Sequence, residues 1–346
     1  MWQVANSTPF PAHGGFFRDH GNGHCWGLWI KAGFALRPGR PPLFLPDQPQ
    51  LNTGPVPASE IANSISGDND ILPPKPQIDL IVTARAMQPD EGNPRDIALG
   101  LGAWRKELSL HPPLRWNWRG RAVVDRDAVP ALVTFDGRDS FGGDGNGANP
   151  IGRGGDTESS QEIPALSYRS DPPKRRGDPI QPAMLGPISP DWGIRRCLAG
   201  TYDEEWRRSR APLTPLDFDP LFLQSAPVDQ RLERPIDPTL QLIAGGFEGV
   251  GPAERPTSYP LGQLDLSCAS RIAGVWHPAD PQLQTIHVDL VRNHLCLTYL
   301  AVWPLANSAA DIDVDLTKLA LNSTDSFRVS ASDAHLFAQP LSESLS

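Results

Sequence analysis

The frequency of proline and glycine is the feature that most narrows what this chain can fold into. Proline (38) and glycine (31) supply 69 of its 346 residues, roughly 20% where an average chain has near 12%. Neither is tolerated inside a long helix. Proline removes a hydrogen bond and clashes with the preceding turn, and glycine loses the most backbone freedom on ordering. The composition therefore predicts β-structure joined by long ordered loops. With 39% hydrophobic and 21% charged residues, the chain has the material for a packed core and reads as globular.

Alternation at a two-residue period supports the β reading. In His24–Leu36, "HCWGLWIKAGFAL", one face carries Trp26, Leu28, Ile30, Ala32, Phe34 and Leu36, and the other carries Trp29 and Lys31. In "IDLIVTARAM", Ile78, Leu80, Val82 and Ala84 share a face opposite Asp79, Thr83 and Arg85. Ile97, Leu99 and Leu101 repeat the pattern, and "RAVVDRDAVPALVTF" adds one or two strands. The span 24–136 is expected to be an N-terminal β meander. Residues 239–322 return to strands, with "TIHVDL-VRNH-LCLTYLAVW" reading as a hairpin. The tail, 335–346, is expected to fray.

Between them, 137–238 has little periodicity and much glycine, proline and aspartate. It also holds Trp192, Tyr202, Trp206, Phe218 and Phe222, which disordered linkers lack, so a loop-rich ordered insertion is expected. One helix is signalled there, in "LAGTYDEEWRRSRAP". Thr201 and Glu204 fit a capping box, acids occupy the first turn and Arg207, Arg208 and Arg210 the last. Asp203–Arg207 and Glu204–Arg208 are expected i,i+4 pairs. A helix this short needs docking, and the Tyr202/Trp206 face is the expected docking surface.

The segment "FGGDGNGANPIGRGG", Phe141–Gly155, invites a ligand reading. It lacks the lysine of a nucleotide P-loop. Counted as a calcium loop from Asp144, it has Ala148 and Gly155 where acids are needed. No apolar helical stripe follows, as a dinucleotide motif requires. Turns with glycine at positive φ explain it best. His20 and His24 are four apart, but two glycines between them oppose a helix, and no metal ligand is assigned. Asp217 and Asp219 resemble paired glycosidase carboxylates, yet on an extended segment they leave from one side and suit turn amides better. No nucleophile elbow occurs. No catalytic, cofactor or metal residue is assigned.

A formal net charge of -9 repels phosphates and disfavours nucleic acid as a partner. No run approaches the roughly 18 apolar residues of a membrane span. The N-terminus lacks a signal-peptide pattern, and Cys25, Cys197, Cys268 and Cys296 include no C-x-x-C pair. A cytoplasmic protein with reduced, mostly buried cysteines is expected.

Three segments, in order, resemble a family of accessory proteins of the bacterial type VI secretion system, defined by a domain of unknown function. The first is "FGG…NPIGRGG", with Asn149 and Arg153. The second is "GPISPDWGIR", with Trp192 and Arg195. The third and most specific is Leu198–Gln230, which contains Tyr202, Asp203, Trp206, Arg210, Asp217, Phe218, Asp219, Phe222, Asp229 and Gln230. The chain departs from the family pattern ahead of the glycine loop, where "TFDGRDSFGG" stands in place of a sequence close to "TYERAFGG". The resemblance implies a non-catalytic adaptor or chaperone that stabilises a secreted toxic effector and loads it onto a VgrG-like spike protein. It makes Asn149, Arg153, Trp192, Tyr202, Asp203, Trp206, Arg210, Asp217, Asp219 and Asp229 candidate motif or partner-binding residues. A groove bordered by Arg153, Tyr202, Trp206 and Asp219 would be its sharpest form. The alternative is a cell-wall glycan-binding module or glycoside-active enzyme using tryptophan and aspartate. The expected fold is a mainly β, antiparallel sandwich or open barrel with a loop-rich central insertion and one or two short helices.

Overall fold

The computed structural model describes residues 3–19, 21–58, 62–90, 92–154, 162–237, 239–305 and 314–337. The fold is mostly β, with 41% strand and 6% helix, and the described residues form two short α-helices and no closed barrel.

The largest sheet has the order Arg231–Leu232, Ile78–Thr83, Gln282–Asp289, His294–Pro304, His24–Ala35, Ala12–Arg18, with Leu43–Phe44 paired to the end of His24–Ala35. Its centre is the expected C-terminal hairpin, where Ile286 faces Leu297 and Val288 faces Leu295. That hairpin pairs with the N-terminal strand through Leu297–Ala32 and Trp303–Trp26. A five-stranded antiparallel sheet runs Leu166–Tyr168, Trp104–Leu110, Arg95–Leu101, Gln241–Gly245, Thr257–Pro260. A four-stranded sheet runs Gln3–Asn6, Val314–Ser323, Asp265–Ile272, Val275–Ala279.

The apolar face read from His24–Leu36 is buried throughout, and it shares one core with Leu80, Val82, Val288 and Leu295 of the large sheet. Leu99, Leu108 and Leu242 of the five-stranded sheet and Leu319 and Leu321 of the four-stranded sheet join the same core. Both smaller sheets therefore cover one face of the large one. The opposite face is also covered, by loops. Trp29 Nε1 donates to the Leu72 carbonyl at 2.8 Å, and Lys31 pairs with Asp70 at 2.7 Å.

The meander expected over 24–136 is not the topology. Ile78–Thr83 lies beside Arg231–Leu232 and runs parallel to Gln282–Asp289, with Leu80 opposite Ile286. Arg85–Met87 pairs with the distant Leu132–Thr134. Among the described residues of that span, strands that are neighbours both in sequence and in a sheet form separate pairs, His24–Ala35 with Leu43–Phe44, Val56–Pro57 with Ile65–Gly67, Arg95–Leu101 with Trp104–Leu110 and Leu114–Trp116 with Ala122–Val124, and these pairs fall in four different sheets. Alternation marks which face a strand buries, and it is silent on which strand lies beside it. The cysteines are all unpaired: Cys25 and Cys268 are buried, Cys296 is half-buried and Cys197 is exposed. Of the tail, Ala334–Phe337 forms a 3-10 turn whose Phe337 ring packs on Phe44 at 4.9 Å. The remainder, from 338, lies outside the described residues, as does His20.

Candidate protein-binding surface

The central insertion is ordered by the loop that opens it. Phe141–Gly142 pairs in parallel with Arg153–Gly154. Asn149 is buried inside the loop and its Nδ2 donates to the carbonyls of Gly137 and Phe141, both at 2.8 Å. Gly142 passes so close to the Asn149 carbonyl oxygen that a Cβ would overlap it. Gly147 and Gly193 also touch backbone to backbone, and the Ile194 amide donates to the Gly147 carbonyl at 2.8 Å. The loop thus seats the start of the short helix Gly193–Arg196. Among the described residues the Arg153 side chain pairs with Asp139, at 3.8 Å, and is mostly exposed.

The second segment locks the insertion to the loop that precedes Ile78. Trp192 is buried and its Nε1 donates to the Asn63 carbonyl at 2.7 Å. Arg195 is buried too. It donates to the carbonyls of Ile188 and Phe222, meets Asp68 at 2.6 Å, and lies over the Phe222 ring. The third segment then crosses the outer face of the large sheet at Asp79. That carboxylate, fully buried, accepts from Gln224 Nε2 (2.6 Å), Ser225 N (2.9 Å), Ala226 N (3.2 Å) and Lys75 Nζ (2.7 Å). Burial pushes its pKa up, and the Lys75 ammonium with the Ser225 and Gln224 bonds outweighs that, holding it below the ordinary carboxylate value.

The segment ends at a second buried charge. Lys106 Nζ donates to the Met184 carbonyl, Asp229 Oδ1 and Gln230 Oε1, each at 2.8 Å. Tyr168 donates to the other Asp229 oxygen at 2.9 Å. Burial lowers the Lys106 pKa to about 8, against the pull of Asp229. Asp79, Lys106 and Gln230 therefore hold the motif to the sheets.

Between these anchors, residues 198–219 form a surface lobe. The helix is Glu204–Ser209, and its cap is Asp203, which accepts from the Trp206 amide at 2.8 Å. The expected Thr201 cap is wrong. Thr201 instead gives its amide (2.9 Å) and hydroxyl (2.7 Å) to Asp217, so it is spent on the neighbouring turn. The expected i,i+4 pairs are replaced by Glu204 with Arg207, one residue closer, while Arg208 bonds the Glu204 carbonyl. Asp219 caps the 3-10 turn Pro220–Leu223 through the Leu221 amide at 2.9 Å. Arg210 donates to the Thr214 carbonyl.

The helix buries no residue. Tyr202 and Trp206 share a face as expected, their rings edge to face at 4.7 Å. They are not docked into the core, however. Trp206 is half-buried with Nε1 on the Leu213 carbonyl, and Tyr202 is 53% exposed. Leu216 at 86% and Val228 at 65% are exposed on the same stretch, and Ile194 is exposed beside it. Of the four residues expected to border one groove, Tyr202, Trp206 and Asp219 belong to this lobe. Arg153 belongs to the glycine loop, and no hydrogen bond or ion pair among the described residues joins it to them. Sequence reasoning missed Asp79, Lys106 and Asp68. The only signal for the first was a carboxylate inside the apolar run "IDLIV", four residues after Lys75.

Other candidate chemistry is placed as follows. Asp217 is occupied by Thr201 and Asp219 by a turn amide. Trp26, Trp29, Trp116, Trp192 and Trp303 are buried. No group of three or more metal-ligating side chains gathers among the described residues. A cleft of about 570 Å³ is lined by Ile78, Leu264, Ile286 and Leu297 together with Asp237 and Asp280, and no motif residue lines it. No helix among the described residues is long and apolar enough to cross a membrane.

The site thus defines a mainly β protein whose signature residues are mostly hydrogen-bonded within the fold, the buried Asn149 Oδ1 being an exception, and which presents a small lobe with exposed Tyr202 and Leu216. Residues 21–299 match the model of a family described as "Uncharacterized protein conserved in bacteria (DUF2169)", and the chain belongs to that family. No curated protein and no solved structure matches it.

Proposed function

We propose that the chain is a non-catalytic cytoplasmic adaptor that holds a secreted toxic effector and delivers it to a VgrG-like spike of a type VI secretion system. Two things support this reading. One is the resemblance carried by the three motif segments. The other, which carries most weight, is how the third segment spends its residues. Its motif aspartates, Asp203, Asp217, Asp219 and Asp229, are each hydrogen-bonded within the fold, as residues that build a scaffold are. Its exposed side chains include three large apolar ones, Tyr202, Leu216 and Val228, set beside the charged Glu204, Glu205, Arg207 and Arg208. Side chains of that kind, held on a preordered loop, gain most by contact with another protein surface.

Deleting the gene tests the proposal. Export of one toxin should stop while the apparatus still assembles and fires. Loss of all secretion would instead make the protein a structural part of the machine, and normal export of every effector would remove the adaptor role.

A further inference from the structure

The chain is acidic overall, but one corner is strongly basic. The hairpin of Leu114–Trp116 and Ala122–Val124 turns through residues 117–121. A second segment, 174–177, is fastened to that turn. Arg121 and Arg175 form an antiparallel bridge, and the Arg176 amide donates to the Gly120 carbonyl at 2.8 Å. These nine residues include Arg119, Arg121, Lys174, Arg175 and Arg176, and no carboxylate. Arg119, Arg121, Lys174 and Arg175 are exposed, and none of them forms an ion pair among the described residues. This stands against a net charge of -9 for the molecule.

Trp118 projects from the middle of the corner, 85% exposed. Its turn is already rigid. Asn117 Oδ1 accepts from the amides of Arg119 (2.9 Å) and Arg121 (3.0 Å), the Gly120 amide donates to the Asn117 carbonyl (2.9 Å), and Gly120 supplies the φ of +67° that the turn requires. The Arg119 guanidinium stacks over the indole at 4.3 Å. An indole held this way leaves a large apolar area in water and needs little further ordering to be buried by a partner. Tryptophan and arginine are also the side chains that most often dominate binding energy at protein interfaces.

We infer that this corner docks an acidic segment of another protein. Trp118 enters an apolar recess of the partner, and Arg119, Arg121, Lys174 and Arg175 meet its carboxylates. Charge complementarity selects this occupant. A nucleic acid or an anionic bilayer would meet the same cations, but it would also extend across a molecule of opposite preference. A protein with one local acidic segment meets only the patch. The inference does not depend on the adaptor reading, since the corner lies outside the three motif segments.

The test is a fluorine NMR titration of the full chain labelled with 5-fluorotryptophan. Trp118→Phe identifies the Trp118 resonance, and the probe is a short peptide of alternating Glu and Leu. The expected result is a shift of the Trp118 resonance that saturates, weakens about tenfold or more in Arg119→Glu/Arg175→Glu, and fades at high salt. Both arginines are exposed, so the charge-reversed protein should melt as the parent does. The inference is overturned if the peptide leaves the Trp118 resonance unmoved or if the charge-reversed protein binds equally well. It is also overturned if an oligothymidylate or phosphatidylglycerol vesicles move that resonance at lower concentration than the peptide.

Discussion

Asp79 is a carboxylate without access to water, and it survives there because four neighbours donate to it. Replacing it with alanine strands the Lys75 ammonium, whose remaining side-chain partner is Thr285 Oγ1. Asp79→Ala should cost about 3–5 kcal/mol in denaturant unfolding, the usual penalty for breaking a buried pair. His111 sets a pH dependence. Its ring is buried against Ser167 Oγ at 2.8 Å, and burial lowers its pKa from 6.5 to about 4. Between those values the unfolded chain binds a proton that the folded chain excludes. Stability is therefore full above pH 6.5 and falls as the pH drops toward 4, by about 3 kcal/mol from this one group. His111→Gln should flatten that part of the melting-temperature profile. The depressed pKa of Asp79 acts in the same direction further down, where protonation of its carboxylate removes the attraction to Lys75. Beyond the Lys75–Asp79 spacing little of this was legible in the sequence, because the burial is set by distant residues, Gln224 for Asp79 and Ser167 for His111.

At the scale of elements, sequence and structure agree where a local rule decides. The strand His24–Ala35 and the hairpin around Leu290 follow their alternation. The short helix sits where acids, arginines and Pro212 placed it, but its cap moved two residues because Thr201 had a stronger partner in Asp217. Its depth was not legible, since pattern alone cannot say whether an aromatic face meets core or solvent. Trp206→Ala should therefore cost about half of the roughly 3–5 kcal/mol that a fully buried ring would. Hydrogen exchange should show the loss confined to the lobe. The glycine loop is the converse case. Its composition named a tight turn, and the close approach of Gly142 to Asn149 explains why. Gly142→Ala should destabilise by about 3 kcal/mol in the same unfolding assay, since a backbone oxygen must move.

For the whole molecule, the mainly β class followed from the shortage of helix-compatible sequence, while the topology did not. The N-terminal and C-terminal thirds interleave in one sheet, and only tertiary pairing could reveal that Ile78–Thr83 lies against Gln282–Asp289. The insertion was legible as ordered from its aromatics, and it proves to cover the outer face of that sheet through Asp79. The surfaces proposed for partners are the lobe of Tyr202 and Leu216 and the basic corner of Trp118, where these side chains are exposed. The most direct measurement of the adaptor account is affinity purification of the tagged protein from its native cell, read by mass spectrometry, in parallel with a Tyr202→Ala/Leu216→Asp variant. The account predicts a VgrG-like spike and one toxin with the parent protein, and loss of the toxin with the variant, at unchanged melting temperature. Recovery of the protein alone under mild lysis, or equal recovery of the toxin by the variant, would contradict it.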